Sequence, residues 1–269
     1  MTWVIPGSVA LSAILTVSAL SATTPYDAKA IIQRSLEANA ADWKAAPEYD
    51  FFERDQQSGG GTKTYEDLMI LGSPYERLVA VNGKPLSPEQ QAQEQRKLEA
   101  TIVRRRNESA LERAERIETY EKDRKRDQML MDQLTKALDF TFLGEQKLDG
   151  HDVYVLKATP RPGYQPPTME TEVLTGMQGK LWIDQKTFQW AKVEAQVLHP
   201  VSIEGFLAQV EPETRFELEK MPVEDDIWLP KHFAMKSQAR ILFLFSRKSQ
   251  ENETYYGYHK AASFQGSSP

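Results

Sequence analysis

The chain contains no cysteine. A cysteine-free protein cannot form disulfides, cannot bind a metal through thiolates and cannot be acylated at a lipobox cysteine. The sequence therefore excludes a disulfide-stapled fold, and the chain is not itself a lipoprotein.

Positive charge is outnumbered, with 33 Lys and Arg against 39 Asp and Glu, and the net charge is −6 at pH 7. Proteins that hold nucleic acid usually carry a positive excess that displaces counterions from the phosphates. A nucleic-acid partner is therefore not expected.

Sequence motifs typical of catalysis or metal binding are missing. The four histidines are scattered, with neither an HxH nor an HExxH spacing, and there is no GxSxG elbow. The glycine triplet at 59–61 is not followed by the Lys-Ser or Lys-Thr of a phosphate-binding loop. We therefore assign no catalytic residue, no metal ligand and no cofactor, and we expect a protein that is not an enzyme.

The first residues differ in composition from the rest of the chain. Val9 to Leu20 contains only apolar and small residues, and Ala19 and Ser21 suit signal peptidase cleavage after Ser21. The apolar run is shorter than the roughly 20 residues of a membrane-spanning helix. We predict a signal peptide at residues 1–21 and export to the periplasm without a stable membrane span. The alternative is an uncleaved inner-membrane anchor at Trp3 to Leu20, because no Lys or Arg precedes Lys29.

An amphipathic helix and a strand meander follow. Apolar residues at helical spacing predict a helix over Asp27 to Asn39. Glycine-rich turns at residues 59–61 and 72–74 then separate short β-prone runs. The predicted strands are Tyr49 to Arg54, Tyr65 to Leu71 and Tyr75 to Val81.

A long charged segment then lacks both glycine and proline, from Glu89 to Leu143. Ser87 and Gln90 have the spacing of a capping box, which predicts a helix start. In residues 87–128, 21 of the 42 are charged. Apolar residues recur every seven positions, with an interruption at Arg124, and they are Val103, Ala110, Ile117, Met131 and Leu138. The two interpretations are a coiled-coil partner helix and a solvated helical excursion, and we favour the second because Arg106, Arg113 and Asp127 occupy the alternate core positions.

The remainder of the chain is typical of antiparallel strands. Leu148-Asp149-Gly150 predicts a hairpin turn, and the proline-rich residues 161–167 predict a loop. The predicted strands are His151 to Thr159, Lys180 to Asp184, Phe188 to Leu198, Thr214 to Met221, Leu229 to Phe245 and Glu253 to His259. Because the helices are grouped apart from the strands, the fold class is α+β.

Several of these strands have one apolar and one polar face. A sheet with such a face must cover it with helices, another sheet or a ligand, since exposed hydrocarbon costs about 25 cal/mol per Å². Either the apolar side chains form a closed core, or the few helices leave part of the face open as a cavity. The residues expected to line that cavity are Phe216, Leu218, Phe233, Met235, Ile241, Phe243, Val193 and Leu156.

Three short stretches resemble the LolA-like superfamily of periplasmic lipoprotein carriers. Leu148 to Pro160 is similar to the superfamily's "dG.xxyvLeatP" strand, Gly179 to Phe188 to its "g.lwIDpxt" hairpin, and Ile227 to Pro230 to its "g.wlP" strand start. The order of the three stretches is also the same. The resemblance covers residues 140–259 and extends more loosely to the N-terminal helix and meander.

This resemblance implies a strongly curved, unclosed antiparallel half-barrel, covered by helices, that accepts acyl chains. We therefore expect a single domain at residues 22–269, with a long charged helical insertion at 87–139. The leading hypothesis is a periplasmic carrier or sensor that binds an acyl chain or a lipidated polypeptide. The alternative is an interaction or regulatory protein that binds a protein partner through the charged helix.

Overall fold

A computed structural model describes residues 27–56, 60–203, 208–224, 226–241 and 245–262. The predicted signal peptide at residues 1–21 lies outside these described residues. Among the helices that the model describes, none is both long and apolar enough to cross a membrane.

The N-terminal part consists of one helix and a strand meander. Helix α1 spans Ala28–Ala45 and is capped by Asp27, whose carboxylate accepts a hydrogen bond from the Lys29 backbone N–H at 2.9 Å. A 3-10 turn at Ala46–Glu48 leads into the strands. These are β1 (Tyr49–Gln56), β2 (Thr62–Ile70), β3 (Ser73–Val81) and the short β4 (Lys84–Pro85).

The charged segment forms two helices, α2 (Pro88–Arg106) and α3 (Ala110–Ala137). Both begin with a reciprocal capping box, Ser87 with Gln90 and Ser109 with Glu112, as the first of these was predicted. Helix α2 packs through Leu98 against a small cluster that includes Leu68 and Ile70 of β2. Position Val103 of the seven-residue series is 56% exposed, so the series does not mark one continuous packed stripe.

The C-terminal part is almost entirely strand. Asp149 and Gly150 both have positive φ angles, 49° and 88°, as a tight hairpin turn requires, and this turn was predicted from the sequence. A short helix α4 (Met169–Glu172) and a 3-10 turn (Val173–Thr175) follow the proline-rich loop. The strands are β5 (Leu138–Leu148), β6 (His151–Pro160), β7 (Met177–Asp184), β8 (Trp190–Val197), β9 (Val201–Ile203), β10 (Ala208–Val210), β11 (Arg215–Pro222), β12 (Trp228–Ile241) and β13 (Phe245–Lys260).

All strands belong to one antiparallel sheet. Eleven of them follow the order β4-β3-β2-β1-β13-β12-β11-β8-β7-β6-β5, and β9 and β10 pair off this path beside β12. Because β4 and β5 are the two ends of the order, the described sheet is not closed. The predicted class, a large unclosed antiparallel sheet with helices grouped elsewhere in the sequence, is therefore confirmed.

Among the predicted strands, the observed boundaries differ most from the sequence expectation at β12 and β13. The strand predicted over Leu229 to Phe245 ends at Ile241, and Phe245 instead opens β13, which pairs back with Ile241. Residues 241–245 are apolar on both parities, with no glycine or proline, so the sequence contains no turn signal there. Strand β13 also begins eight residues before the expected Glu253. The sequence did not predict this part of the strand, because Ser246 to Asn252 is polar on both faces and has no apolar alternation.

Candidate functional site

One face of the sheet is defined by a single row of cross-strand neighbours. Antiparallel partners share a face, so the registers place ten residues on the same side of ten adjacent strands. In spatial order these are Phe142, Leu156, Leu181, Val193, Leu218, Phe233, Glu253, Asp55, Lys63 and Val81. The row is apolar from β5 to β12 and turns charged at β13. We call this side of the sheet the row face.

Two helices cover the β6–β8 part of the row face. Ile31 and Ile32 of α1 and Ala137 at the end of α3 are buried in one cluster with Leu156, Leu181 and Val193. A polar contact reinforces the packing, because Trp190 Nε1 donates to Ser35 Oγ of α1 at 3.1 Å. The apolar side chains here form a closed core.

A buried ion pair anchors α1 to the sheet. Lys220 of β11 donates to the Asp42 carboxylate of α1 and, at 2.8 Å, to Asn39 Oδ1. Asp42 also accepts from Gln189 Nε2 at 2.8 Å and from the Trp228 backbone N–H at 3.0 Å. Burial raises the pKa of Asp42 and lowers that of Lys220, since each charged form loses its water, while their mutual attraction opposes both changes.

Beyond α1 the apolar side chains are only half-buried. Phe216, Leu218, Phe233 and Met235, which we call the open patch, lie on β11 and β12 with intermediate exposure. Phe216 and Phe233 pack edge to face with centroids 5.4 Å apart. Phe216 and Leu218 also touch the margin of the core beneath α1. The open patch is therefore continuous with the core but lacks its full cover.

The predicted cavity residues separate into three groups. Leu156 and Val193 lie in the closed core, at 0% and 9% exposure, and Phe216, Leu218, Phe233 and Met235 form the open patch. Phe243 and the side chain of Ile241 lie outside the described residues. The structure thus brings six of the eight onto one face, two of them beneath helix.

An open trough of about 730 Å³ crosses the six neighbouring strands β6, β7, β8, β11, β12 and β13. Phe216 and Met235 of the open patch line it, but most of its other lining residues belong to the opposite, polar parity. These include Lys157, Lys180, Glu194, Arg215, Glu217 and Lys236. Val193, Leu218 and Phe233 are not in its lining, so the trough and the open patch share only an edge.

The charged end of the row face was not anticipated from the sequence. Glu53 and Asp55 of β1, Asp67 of β2, Glu76 of β3 and Glu253 of β13 are brought together there, and we call them the acidic cluster. The alternation of Glu53 with Asp55 shows that they share a face. Their position beside Phe233 depends on the long-range pairing of β1 with β13, which local patterns do not reveal.

Burial changes the protonation of this acidic cluster. Loss of water, followed by repulsion from Asp67, Glu253, Glu76 and Asp55, raises the pKa of Glu53 to about 8. Burial and the negative charges of Glu76 and Asp50 raise the pKa of Asp67 to about 7. At neutral pH Glu53 is therefore mostly protonated, and Asp67 is divided between the protonated and the ionised form.

Metal binding has no support in the described part of the chain, where no group of three or more His, Asp or Glu side chains has the arrangement of a metal site. Three histidines make ordinary structural contacts. His151 Nδ1 lies 3.1 Å from Asp184 Oδ2, His232 Nε2 lies 3.2 Å from Asn252 Oδ1, and His259 Nδ1 lies 3.0 Å from the Gly257 carbonyl oxygen.

Comparison with known proteins finds likeness in structure only. No family model matches the sequence, and no curated protein sequence matches it. Among solved structures, an outer membrane lipoprotein-sorting protein domain from Vibrio parahaemolyticus is 12% identical, with a TM-score of 0.32 over 88% of this chain and 94% of that one.

Two further structures are similar over comparable lengths. A LolA-superfamily protein from Nitrosomonas europaea is 11% identical, with a TM-score of 0.33 over 88% of this chain and 94% of that one. The Pseudomonas aeruginosa MucA/MucB complex is matched at 11% identity, with a TM-score of 0.22 over 85% of this chain and 99% of that one.

Proposed function

We propose that this chain is an exported, periplasmic binding protein without catalytic activity, and that its row face receives the apolar part of a ligand. The ligand class is an acyl chain or a lipidated polypeptide. The observation that carries the proposal is the continuation of the apolar row from the closed core into the half-buried open patch. Apolar surface that no helix fully covers gains free energy when a ligand's hydrocarbon covers it, at about 25 cal/mol per Å².

The open patch offers the chemistry that an acyl chain requires. Phe216 and Phe233 present ring surfaces, and Met235 presents a flexible thioether side chain that adapts to irregular apolar shapes. Val193 and Leu156 extend the same row beneath α1, so a longer chain reaches them when α1 moves. Ile241 and Phe243, which the sequence alternation predicts on the same face, would extend the apolar lining under this proposal.

A paired substitution tests the proposal. Met235→Glu puts a charge in the open patch, whereas Lys236→Glu puts the same side chain on the opposite face one residue away. We expect M235E to weaken binding of a fluorescent hexadecanoic acid analogue at least tenfold and K236E to leave it within twofold. Equal affinities of the two variants, or no bound amphiphile in native mass spectrometry of the purified full chain, would contradict the proposal.

A second function is supported by the corner between α2 and α3. Val103 and Leu111 are 56% and 68% exposed there, although they are large apolar side chains. We take these two exposed apolar side chains as the candidate contact point for a protein partner. If this corner binds a partner, Val103→Glu together with Leu111→Glu abolishes co-purification of that partner and leaves acyl binding unchanged. A partner retained by this double variant rules the corner out.

A further inference from the structure

The acidic cluster adjoins the open patch on the row face. Phe233 of β12 pairs with Glu253 of β13, and Glu253 pairs in turn with Asp55 of β1. Asp67 and Glu76 are direct cross-strand partners on the next two strands. An elongated ligand that lies across the strands therefore meets hydrocarbon first and carboxylates next.

Two members of the acidic cluster are not paired with a cation among the described side chains. Asp67 is 7% exposed, and its Oδ2 is buried without a hydrogen-bond partner. Glu53 is half-buried and makes no hydrogen bond or ion pair with a described residue. Glu253, in contrast, accepts a hydrogen bond from the Tyr255 hydroxyl. Lys63 lies on the same face opposite Asp55, but no ion pair joins it to Glu53 or Asp67.

The mutual repulsion within this cluster is relieved either by protonation or by a bound cation. A buried carboxylate that lacks a partner is costly in its charged form, and neighbouring carboxylates add repulsion to that cost. A cation placed among them removes the repulsion and supplies the missing donors. Charge-assisted hydrogen bonds to carboxylates are stronger than neutral ones, so such a cation would be held firmly.

We propose that the acidic cluster binds a lysine or arginine side chain of a polypeptide ligand, next to an apolar or acylated segment of the same ligand on the open patch. This inference rests on the proposed binding function and narrows its ligand to a polypeptide with a basic residue close to its apolar part. Glu76, which is exposed, marks the side from which the basic side chain enters. Asp67 forms the buried end of the site.

The charge of the cluster argues against a phospholipid in this position. A phospholipid headgroup carries its phosphate close to any ammonium group, and that phosphate would lie among the carboxylates. Like charges across an interface are strongly unfavourable. A polypeptide presents Lys or Arg without an adjoining anion, and the planar guanidinium of Arg matches a carboxylate with two hydrogen bonds.

Two acylated peptides test the proposal on the full chain. They carry the same N-terminal hexadecanoyl group and differ at one position near it, which is Lys in the first and norleucine in the second. We expect the Lys peptide to bind about tenfold tighter or more, in keeping with a hydrogen bond to a charged group. The difference should shrink at high salt, because part of it is electrostatic.

Variant proteins assign that difference to the cluster. Glu53→Gln combined with Asp67→Asn should bind both peptides equally, with the affinity for the norleucine peptide unchanged. Glu145→Gln removes an exposed carboxylate on β5 and should retain the full preference. Circular dichroism checks that the variants are folded. We expect them to fold, because each neutral amide removes repulsion between carboxylates and does not remove the partner of another group.

The outcomes separate this inference from the proposed function. Equal binding of the two peptides by the unaltered protein overturns cation binding at the acidic cluster but leaves the proposed apolar binding at the open patch intact. Binding of neither peptide ends both proposals. Tight binding of spermidine alone, unaffected by M235E, would instead identify a site for free amines and overturn the assignment to a polypeptide.

Discussion

Lys220 lies opposite Asp42, and the pair fixes α1 across the row face of the sheet. Their side chains are 8% and 4% exposed, and Asp42 receives two further hydrogen bonds from Gln189 and the Trp228 backbone. The pair stands where the closed core ends and the open patch begins, since Lys220 follows Leu218 on the same face of β11. The pair therefore holds α1 against the row face at this boundary.

Removing one member of this pair should destabilise the protein strongly. Lys220→Met leaves the Asp42 carboxylate buried without its cation, which costs about 3–5 kcal/mol of unfolding free energy. Adding Asp42→Asn removes the uncompensated charge, so the double variant should recover most of the loss. Urea denaturation measures the difference. Lys231→Met, at an exposed pair with Asp149, is the matched control and should cost less than about 1 kcal/mol. A double variant no more stable than the single one would refute this account.

The β2–β3 hairpin depends on a second buried cation, Arg105 of α2. Its guanidinium donates to the carbonyl oxygens of Ile70, Ser73 and Pro74 at 2.8, 2.7 and 2.9 Å. Lys cannot reproduce this planar set of donors, so we expect Arg105→Lys to lose about 2 kcal/mol of unfolding free energy. Hydrogen exchange of the hairpin amides should accelerate as well. Arg104→Lys, on the exposed side of α2, is the control, and equal effects of the two changes would mean that the carbonyl contacts contribute little.

Much of the fold can be predicted from local patterns in the sequence. The Asp149-Gly150 turn, the Ser87 capping box and the alternating strands all specify structure within a few residues. The polar first half of β13 carries no such signal. Its identity as a strand comes from pairing with β12, and from Glu253 onward β13 also pairs with β1 on its other side.

Only the apolar part of the candidate site could be predicted from the sequence. Alternation identified the shared face of Phe216, Leu218, Phe233 and Met235, but it could not tell which residues α1 covers. The acidic cluster was missed because its members are separated by up to 200 residues of sequence. Only the position of β13 between β12 and β1 brings Glu253 beside Glu53 and its neighbours.

Protonation of the acidic cluster should make stability depend on pH. Glu53 and Asp67 have pKa values of about 8 and about 7 in the folded protein, above their usual values of 4.5 and 3.8. The folded protein therefore retains protons that the unfolded chain releases as the pH rises through this interval. Their contribution to stability is fully present below about pH 4 and is lost as the pH rises towards 8.

The measurement compares urea denaturation at pH 5 and pH 8. The unaltered protein should lose more unfolding free energy over this interval than the variant E53Q D67N. The charged neighbours Asp50, Asp55, Glu76, Glu253 and Lys63 are unchanged in the variant, so the difference in slope isolates the two groups. E145Q should keep the original slope. Parallel slopes for all three proteins would mean that Glu53 and Asp67 titrate normally.

Gly179 should be intolerant of even a methyl group. A Cβ at this position would lie 2.6 Å from the Glu194 backbone carbonyl oxygen on the paired strand β8, so Gly179→Ala must push two hydrogen-bonded strands apart. Such overpacking costs about 1–3 kcal/mol. Gly61→Ala is the control, because its Cβ would meet only the Asn82 side-chain oxygen, at 3.1 Å, and a shift of a few tenths of an ångström relieves that contact. Thermal unfolding should show a clear loss for the first variant and a small change for the second. Since β7 and β8 border the trough, a Gly179→Ala variant of unchanged stability would show that these strands separate easily at that level of the sheet.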